Sequence, residues 1–376
     1  MSVLLAELRP EATVVSPDRA HVVSFDREGR LLTYFAAGRT YKRSLASEVH
    51  LRVREGGRRV RRVLDVEEAL AVFREAYALA ERAWREAGPA LRARLEAEVL
   101  RWTPERLWAE RERFLKVYKP ISILPPDQYF AVVLQATEGC TWNRCTFCTF
   151  YADRPFRARN LPEFTAHAEA VRAFLGRGLA LRKGIFLADG NALALSLNRL
   201  APLVEAARAT FPDRPVYGFI DVFTGERHTL EEWRALKTMG LERVYVGMET
   251  GLDALLAFLN KPGSRAELVR FVGELKQAGL GVGLIVMVGV GGRAYRERHA
   301  QATLEALREM PLDAKDLVYV SPFVEHPTSA YARLREAAGL EPMLPEEVEA
   351  ELARLAAAVR RLGVRASRYD IREFVY

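Results

Sequence analysis

The sequence predicts an α/β fold, on three observations. From residue 130 to about 335, apolar strand-like runs alternate with segments of helical period, giving six strand–helix units. Several of the strands, such as GLIVMVG, are continuously apolar, which suits a parallel sheet covered by crossover helices. Before residue 120 the rhythm differs, with short alternating runs first and a helical stretch after them. Six units fit either a partial (β/α) barrel or a doubly wound sheet, and in both architectures ligands gather at the C-terminal ends of the strands.

The elements follow in order. HVVSF and RLLTYF flank the turn DREG, and VHLRVR and RRVRRV flank EGG, so the chain opens with β-hairpins. VEEALAVFREAYALAERAWREAG carries apolar residues at three- and four-residue intervals and stops at Gly88-Pro89. Thr103 and Pro104 are an N-cap and first-turn proline for a further helix ending near Tyr118. KPISILPPDQ then reads as a connector. Beyond it the strands are AVVLQAT, KGIFLADG, PVYGFID, ERVYVGME, LGVGLIVMVG and LVYVSPF, separated by helical segments such as NRLAPLVEAARATF and SRAELVRFVGELKQAG. The expected organisation is an N-terminal α+β domain over 1–120, which is a candidate substrate-binding domain, a barrel over 121–335 and a short helical extension over 336–376.

Composition sets outer limits. A chain of 376 residues that is 49% hydrophobic and 28% charged has the make-up of a globular protein. It contains no apolar run of about 18 residues, so no transmembrane helix is expected. The start, MSVLLAELRPEA, lacks a basic region before a long apolar stretch, and a cytoplasmic location is the expectation. The net charge of +7 permits an anionic partner without requiring one.

The chemistry concentrates in EGCTWNRCTFCTFY, residues 138–151, which hold all three cysteines: Cys140, Cys145 and Cys148. An odd number of crowded thiols is no disulfide framework. Three is also one short of the four that close a structural zinc site or an ordinary iron–sulfur cluster. A four-iron cluster held by three cysteines leaves one iron open to an external ligand, which suits an enzyme. The segment follows the first strand of the alternating region, where a parallel α/β fold places its chemistry.

These residues resemble the cluster loop of the radical S-adenosylmethionine (radical SAM) superfamily, with one departure: the spacing here is C-x4-C-x2-C, against the usual C-x3-C-x2-C. The resemblance implies a partial (β/α)6 radical SAM barrel. It also implies a [4Fe-4S] cluster on Cys140, Cys145 and Cys148, with SAM chelated at the open iron. Reductive cleavage of SAM would yield methionine and a 5'-deoxyadenosyl radical that abstracts hydrogen from a substrate. Phe147 stands where the family commonly has an aromatic against adenine. ADGNAL, with Asp189, Gly190 and Asn191, occupies the place of the stretch that receives the SAM amino group. VGMETGLDALLAFLNKPGS resembles a signature of the branch containing the Elongator catalytic subunit and coproporphyrinogen dehydrogenase-like proteins. That likeness implies a ribose contact for Glu249 and an approach to the SAM carboxylate for Lys261. VMVGVGGRAYRERHAQAT corresponds to the fifth-strand turn, implying adenine contacts for Gly289, Val290 and Gly291. An external electron donor such as ferredoxin or flavodoxin is implied as well.

His167, His299 and His326 read as structural residues. With no further cysteine, an auxiliary cluster is not expected. The substrate, a small molecule or RNA, does not follow from the sequence. HLRVREGGRRVRR places six arginines in thirteen residues on an expected hairpin, which keeps open a metal-cluster-stabilised RNA-binding or RNA-modifying protein.

Overall fold

The computed structural model describes residues 5–18, 20–56 and 58–376, with the backbone alone at Arg58 and Arg59. The chain divides into two compact units. One comprises the chain up to Ile121 with Glu169–Lys183 and Arg372–Tyr376, and the other comprises Ser122–Ala168 with Gly184–Ile371.

In the first unit, seven strands form an antiparallel meander in sequence order: β1 (Leu5–Leu8), β2 (Ala12–Asp18), β3 (His21–Asp26), β4 (Leu31–Ala36), β5 (Arg39–Arg43), β6 (Val49–Glu55) and β7 (Arg58–Val63). The expected hairpins are β3–β4 and β6–β7; Gly57 of the second turn lies outside the described residues. Helices α1 (Val66–Glu86), α2 (Pro89–Arg94) and α3 (Pro104–Val117) follow. Asp65 caps α1 by accepting from the Glu68 N–H, while the Glu68 carboxylate accepts from the Asp65 N–H, so two otherwise orphaned donors are satisfied. The periodic face of α1, including Val72, Phe73, Ala76 and Ala80, is buried in one cluster with Val15, Val23, Phe25 and Val49 of the sheet. Arg30 lies inside this unit at 2% exposure. It donates to Asp26 Oδ2 (3.1 Å), Glu110 Oε2 (3.1 Å) and the carbonyls of Phe174 (3.0 Å) and Leu175 (2.6 Å).

The basic hairpin is partly engaged. Arg62 is bonded to both carboxylate oxygens of Glu68, and Arg61 is bonded to Glu373. The side chains of Arg58 and Arg59 lie outside the described residues.

The second unit is built on β8 (Ala131–Gln135), which leads into a small antiparallel pair, β9 (Thr137–Glu138) and β10 (Arg157–Ala158). Then come α4 (Leu161–Leu175), whose residues from Glu169 onward belong to the first unit, β11 (Gly184–Ala188), α5 (Leu197–Thr210), β12 (Val216–Ile220), α6 (Val222–Gly225), α7 (Leu230–Thr238) and β13 (Leu241–Glu249). The chain continues through α8 (Asp253–Phe258), α9 (Arg265–Gln277), β14 (Gly281–Val288), α10 (Gly292–Glu309), β15 (Leu317–Pro322), α11 (Ala330–Ala337), α12 (Pro345–Arg361) and β16 (Arg365–Arg368).

The large sheet runs β8-β11-β12-β13-β14-β15-β16, every neighbour parallel. A doubly wound sheet reverses its strand order at a switch point. This one advances steadily, which is the order of an incomplete barrel. The seventh strand lies in the segment expected to be a short helical extension: α12 is followed by β16, whose Arg365–Arg368 pair with Leu317–Val320. Below the strands, Asp127 accepts from the hydroxyls of Tyr245 (2.5 Å) and Tyr319 (2.6 Å) and from Arg243 Nη1 (3.0 Å), tying β13 and β15 to the segment before β8. Among the described residues, no helix is long and apolar enough to cross a membrane.

Candidate active site

A cavity of about 340 Å³ opens at the C-terminal ends of the parallel strands, and all seven feed it. The loop after β8 brings Cys140, Cys145 and Cys148 with Phe147; β11 brings Gly190; β12 brings Ile220 and Asp221; β13 brings Glu249. Met287 comes from β14, Ser321 from β15, and Tyr369 with Ile371 from the segment after β16.

The cysteine loop is held along its length. Across the four residues between Cys140 and Cys145, Thr141 Oγ1 accepts from Asn191 Nδ2 (2.7 Å) and Trp142 Nε1 donates to Asn260 O (2.8 Å). Asn143 Nδ2 donates to Tyr151 O (3.0 Å), and Arg144 O accepts from Asn260 Nδ2 (2.8 Å). Asn143 sits at φ 49°, a left-handed conformation that asparagine tolerates better than most residues. Thr146 N–H bonds Leu259 O (2.9 Å), and Thr146 O accepts from Tyr331 N–H (2.8 Å). The four-residue spacing is therefore absorbed by a braced loop.

Glu249 and Lys261 form the charged feature of the wall, with Nζ 3.1 Å from Oε1. A bulge in β13 between Gly247 and Glu249 turns the latter into the cavity, at φ 58°. A Cβ on Gly247 would lie 2.3 Å from Glu249 Oε1 and 3.1 Å from Lys261 Nζ, so the missing side chain is the space the pair occupies. Burial alone would lower the Lys261 ammonium, but the charges of Glu249, Cys145 and Asp221 more than offset it. Lys261 is held above its ordinary value and is a fixed cation. Burial pushes the Cys145 thiol up to about 12, against the pull of Lys261, and Cys148 up to about 11.

The turn carrying Glu249 is supported from α10. His299 Nδ1 is 2.7 Å from Thr250 Oγ1, and Thr303 Oγ1 accepts from Gly251 N–H (3.0 Å). Burial lowers His299 to about 4, so it is neutral. His167 Nε2 accepts from Gln135 N–H (3.0 Å). Both act in the framework, as the sequence suggests. His326 stands at the cavity rim with Nδ1 near Thr328 Oγ1 (2.9 Å).

Of the twelve residues singled out in the sequence, the cavity wall contains Cys140, Cys145, Cys148, Phe147, Gly190, Glu249 and Lys261. The other five lie elsewhere. Asp189 is buried, accepts from Gln135 Nε2 (3.2 Å) and lies 3.6 Å from Arg154 Nη1; burial raises its carboxyl to about 6 despite both partners. Asn191 bonds Thr141, Asp221 and Thr224, linking the loops after β8, β11 and β12. Gly291 N–H donates to Tyr331 Oη (2.9 Å), and Gly289 O accepts from Gly292 N–H (3.1 Å). Val290 packs in the apolar cluster that also holds Phe147 and Leu255, behind the wall. Gly190 is confined by a neighbouring ring: a Cβ there would stand 2.5 Å from Tyr151 Cε2. Sequence reasoning missed Tyr151, Asp221, Tyr369 and Ile371, none of which carries a pattern that marks a site.

The donor set is soft: three sulfurs of one loop face one space, which suits iron or zinc. Among the described residues, no three His, Cys, Asp or Glu side chains converge as ligands of a single ion. A four-iron cluster takes each cysteine at a different iron, so it needs three thiols on one space and not three ligands on one ion. The residues present fit the cluster, and its iron would supply the positive charge that buried thiolates need.

A comparison with protein families matches residues 134–307 to the radical SAM superfamily. This stretch is similar to a radical SAM domain. The superfamily takes its name from SAM. Solved structures similar to the chain include coproporphyrinogen III oxidase from Escherichia coli, with 16% identity and a TM-score of 0.41, covering 50% of this chain and 42% of that one. Another is the radical SAM methyltransferase TsrM from Kitasatospora setae with cobalamin and a [4Fe-4S] cluster bound, with 16% identity and a TM-score of 0.43, covering 57% and 42%. A third is the archaeal Elp3 of Methanocaldococcus infernus, with 12% identity and a TM-score of 0.46, covering 63% and 55%. The chain thus spans less than half the length of the first two. No curated protein matches it by sequence.

Proposed function

We propose that the protein is a radical SAM enzyme whose cluster is carried by Cys140, Cys145 and Cys148 and whose SAM lies along Phe147, Gly190, Glu249 and Lys261. The observation that carries this reading is the meeting of the three thiols and the Glu249–Lys261 pair on one cavity at the ends of seven parallel strands. When bound and reduced, the cluster would supply the one electron that cleaves SAM, and the carbon radical so released would take hydrogen from the substrate. An external donor, such as a ferredoxin or flavodoxin, would reduce the cluster.

The chain's own residues have separable tasks. Lys261 provides a cation for the SAM carboxylate, and Glu249 fixes it in place. The second carboxylate oxygen of Glu249 is an acceptor for ribose hydroxyls. Phe147 offers a face to adenine, backed by Leu255 and Val290. Asp189, Asn191 and the 289–291 turn hold these groups in position instead of lining the cavity. Phe150, Phe219 and Ile285 on the walls exclude water, which protects a reactive carbon radical. The RNA-binding reading has less support, because Arg61 and Arg62 of the basic hairpin are already tied to carboxylates.

Anaerobic reconstitution with iron and sulfide, followed by SAM and dithionite, tests the proposal. Wild type should release 5'-deoxyadenosine, and replacing any one of the three cysteines with alanine should abolish it. An iron-loaded wild type that leaves SAM intact would overturn the reading.

A further inference from the structure

The cysteine loop has an outer face as well as an inner one. Its inner side brings Cys140, Cys145 and Cys148 to the cavity, while Arg144 is exposed. Trp142 lines the cavity and is only half-buried. Four side chains stack in a row here, across the loop and the start of α6. Arg144 lies over the Trp142 ring, 5.5 Å from its centroid. The Trp142 ring meets Phe223 edge-on at 5.9 Å, and Arg227 lies over Phe223 at 4.9 Å. Trp142 is fixed in this row by the bond from its Nε1 to Asn260 O (2.8 Å). Phe223 is 40% exposed, and Arg227 is exposed too.

Folding gives these two arginines rings but no anions. Among the described residues neither guanidinium is ion-paired. The nearby carboxylates are already engaged, Glu226 with Arg270 and Asp221 with Asn191 and Thr224. A guanidinium lying on a ring is held in place and keeps N–H groups free for carboxylates. Two rings between two uncompensated cations have the make-up of a small protein interface, with an apolar centre and a charged rim.

Position and charge together select the occupant. A cluster on these cysteines needs an external carrier to reduce it, and the row stands on the loop that would hold it. Trp142 is two residues after Cys140 and three before Cys145. The partner must bring carboxylates to Arg144 and Arg227 around an apolar contact. A nucleic acid suits the row less. Each ring already has an arginine over a face that a base would need, and two cations make no track for a phosphate backbone.

Resting on the function proposed above, we propose that Arg144, Trp142, Phe223 and Arg227 form the docking surface for a small acidic electron-carrier protein of the flavodoxin kind. The carrier's carboxylates bond the two guanidiniums, and its apolar surface covers Phe223. One electron passes from the carrier's reduced flavin to the oxidised cluster. The flavin is oxidised by one electron, the cluster is reduced by one, and no covalent bond is made or broken. Electron-transfer encounters bury less than about 1,200 Å², so a row of four side chains is enough for the centre of one.

The test mixes reconstituted, full-length protein with photoreduced acidic flavodoxin in an anaerobic stopped-flow spectrometer and follows bleaching of the oxidised cluster. In wild type the second-order rate should fall steeply with added salt, as attraction between opposite charges is screened. The double variant Arg144→Gln, Arg227→Gln removes both charges and keeps the Arg144 carbonyl that braces the loop. At low salt its rate should be roughly tenfold lower, with little dependence on salt. A control pair, Arg308→Gln and Arg361→Gln in the last turns of α10 and α12, lowers net charge equally and should stay within about twofold of wild type. Dithionite needs no docking surface and should reduce all three proteins to the same extent, read as EPR amplitude. An unchanged rate in the double variant, an equal loss in the control pair, or no reduction of wild type by flavodoxin where dithionite succeeds would overturn the proposal. Tight binding of poly(U) that the double variant loses would also overturn it, assigning the row to nucleic acid. Iron content and the dithionite signal show failure of the radical SAM reading separately from failure of the docking surface.

Discussion

At the scale of residues, the Glu249–Lys261 pair and His299 make the sharpest predictions. Glu249→Ala should weaken SAM binding by tenfold or more, as expected for loss of a charge-assisted hydrogen bond worth about 1.5–3 kcal/mol. Iron content should not change, because the cysteines sit on a separately braced loop. Equilibrium binding of SAM to the reconstituted variant checks this, and unaltered affinity would remove Glu249 from the site. His299 titrates near 4 in the folded chain against 6.5 ordinarily. Its folded value is depressed, so the stabilising contribution is complete above pH 6.5 and is lost as pH falls towards 4. His299→Gln keeps a partner for Thr250 and cannot take up the proton. Between pH 7 and 4.5 its loss of unfolding free energy should be smaller than wild type's by about 2 kcal/mol, as measured by denaturant titration at each pH. The cysteines were legible in the sequence because their chemistry is singular. Tyr369 and Ile371 were not, since neither carries a pattern that marks a cavity wall.

At the scale of elements, the turn after β13 is fitted tightly to α10. A Cβ on Gly251 would stand 2.4 Å from Ala302 O and 2.8 Å from Thr303 Cα, both backbone atoms that cannot step aside. Gly251→Ala should therefore push β13 and α10 apart, with a stability loss of about 1–3 kcal/mol and weaker SAM binding, while the cysteine loop keeps its iron. Thermal unfolding with a SAM titration of the same variant tests both halves. The resemblance puts Gly289, Val290 and Gly291 of VMVGVGGRAYRERHAQAT beside adenine. The structure uses His299 and Thr303 of that segment to hold the Glu249 turn, and uses the Gly291 N–H to bond Tyr331. A glycine-rich turn announces a tight backbone, but not which neighbour demands it.

For the whole molecule, the six apolar strands and their crossover helices could be read directly, because parallel strands buried on both faces give continuous apolar runs. The seventh could not. Arg365–Arg368 reads RASR, a short polar edge strand whose pairing with β15 rests on backbone hydrogen bonds that leave no mark on side-chain pattern. The choice between a barrel and a doubly wound sheet also needed the structure, since strand order is not written in periodicity. The central claim is that three cysteines at the mouth of this barrel carry a four-iron cluster with one iron open to SAM. Low-temperature EPR of the reconstituted, dithionite-reduced protein, recorded with and without SAM, tests it most directly. The account predicts a reduced [4Fe-4S] signal that changes shape on adding SAM and is absent when Cys140, Cys145 or Cys148 is replaced by alanine. Stoichiometric zinc with no reducible cluster, or a cluster signal indifferent to SAM, would contradict it.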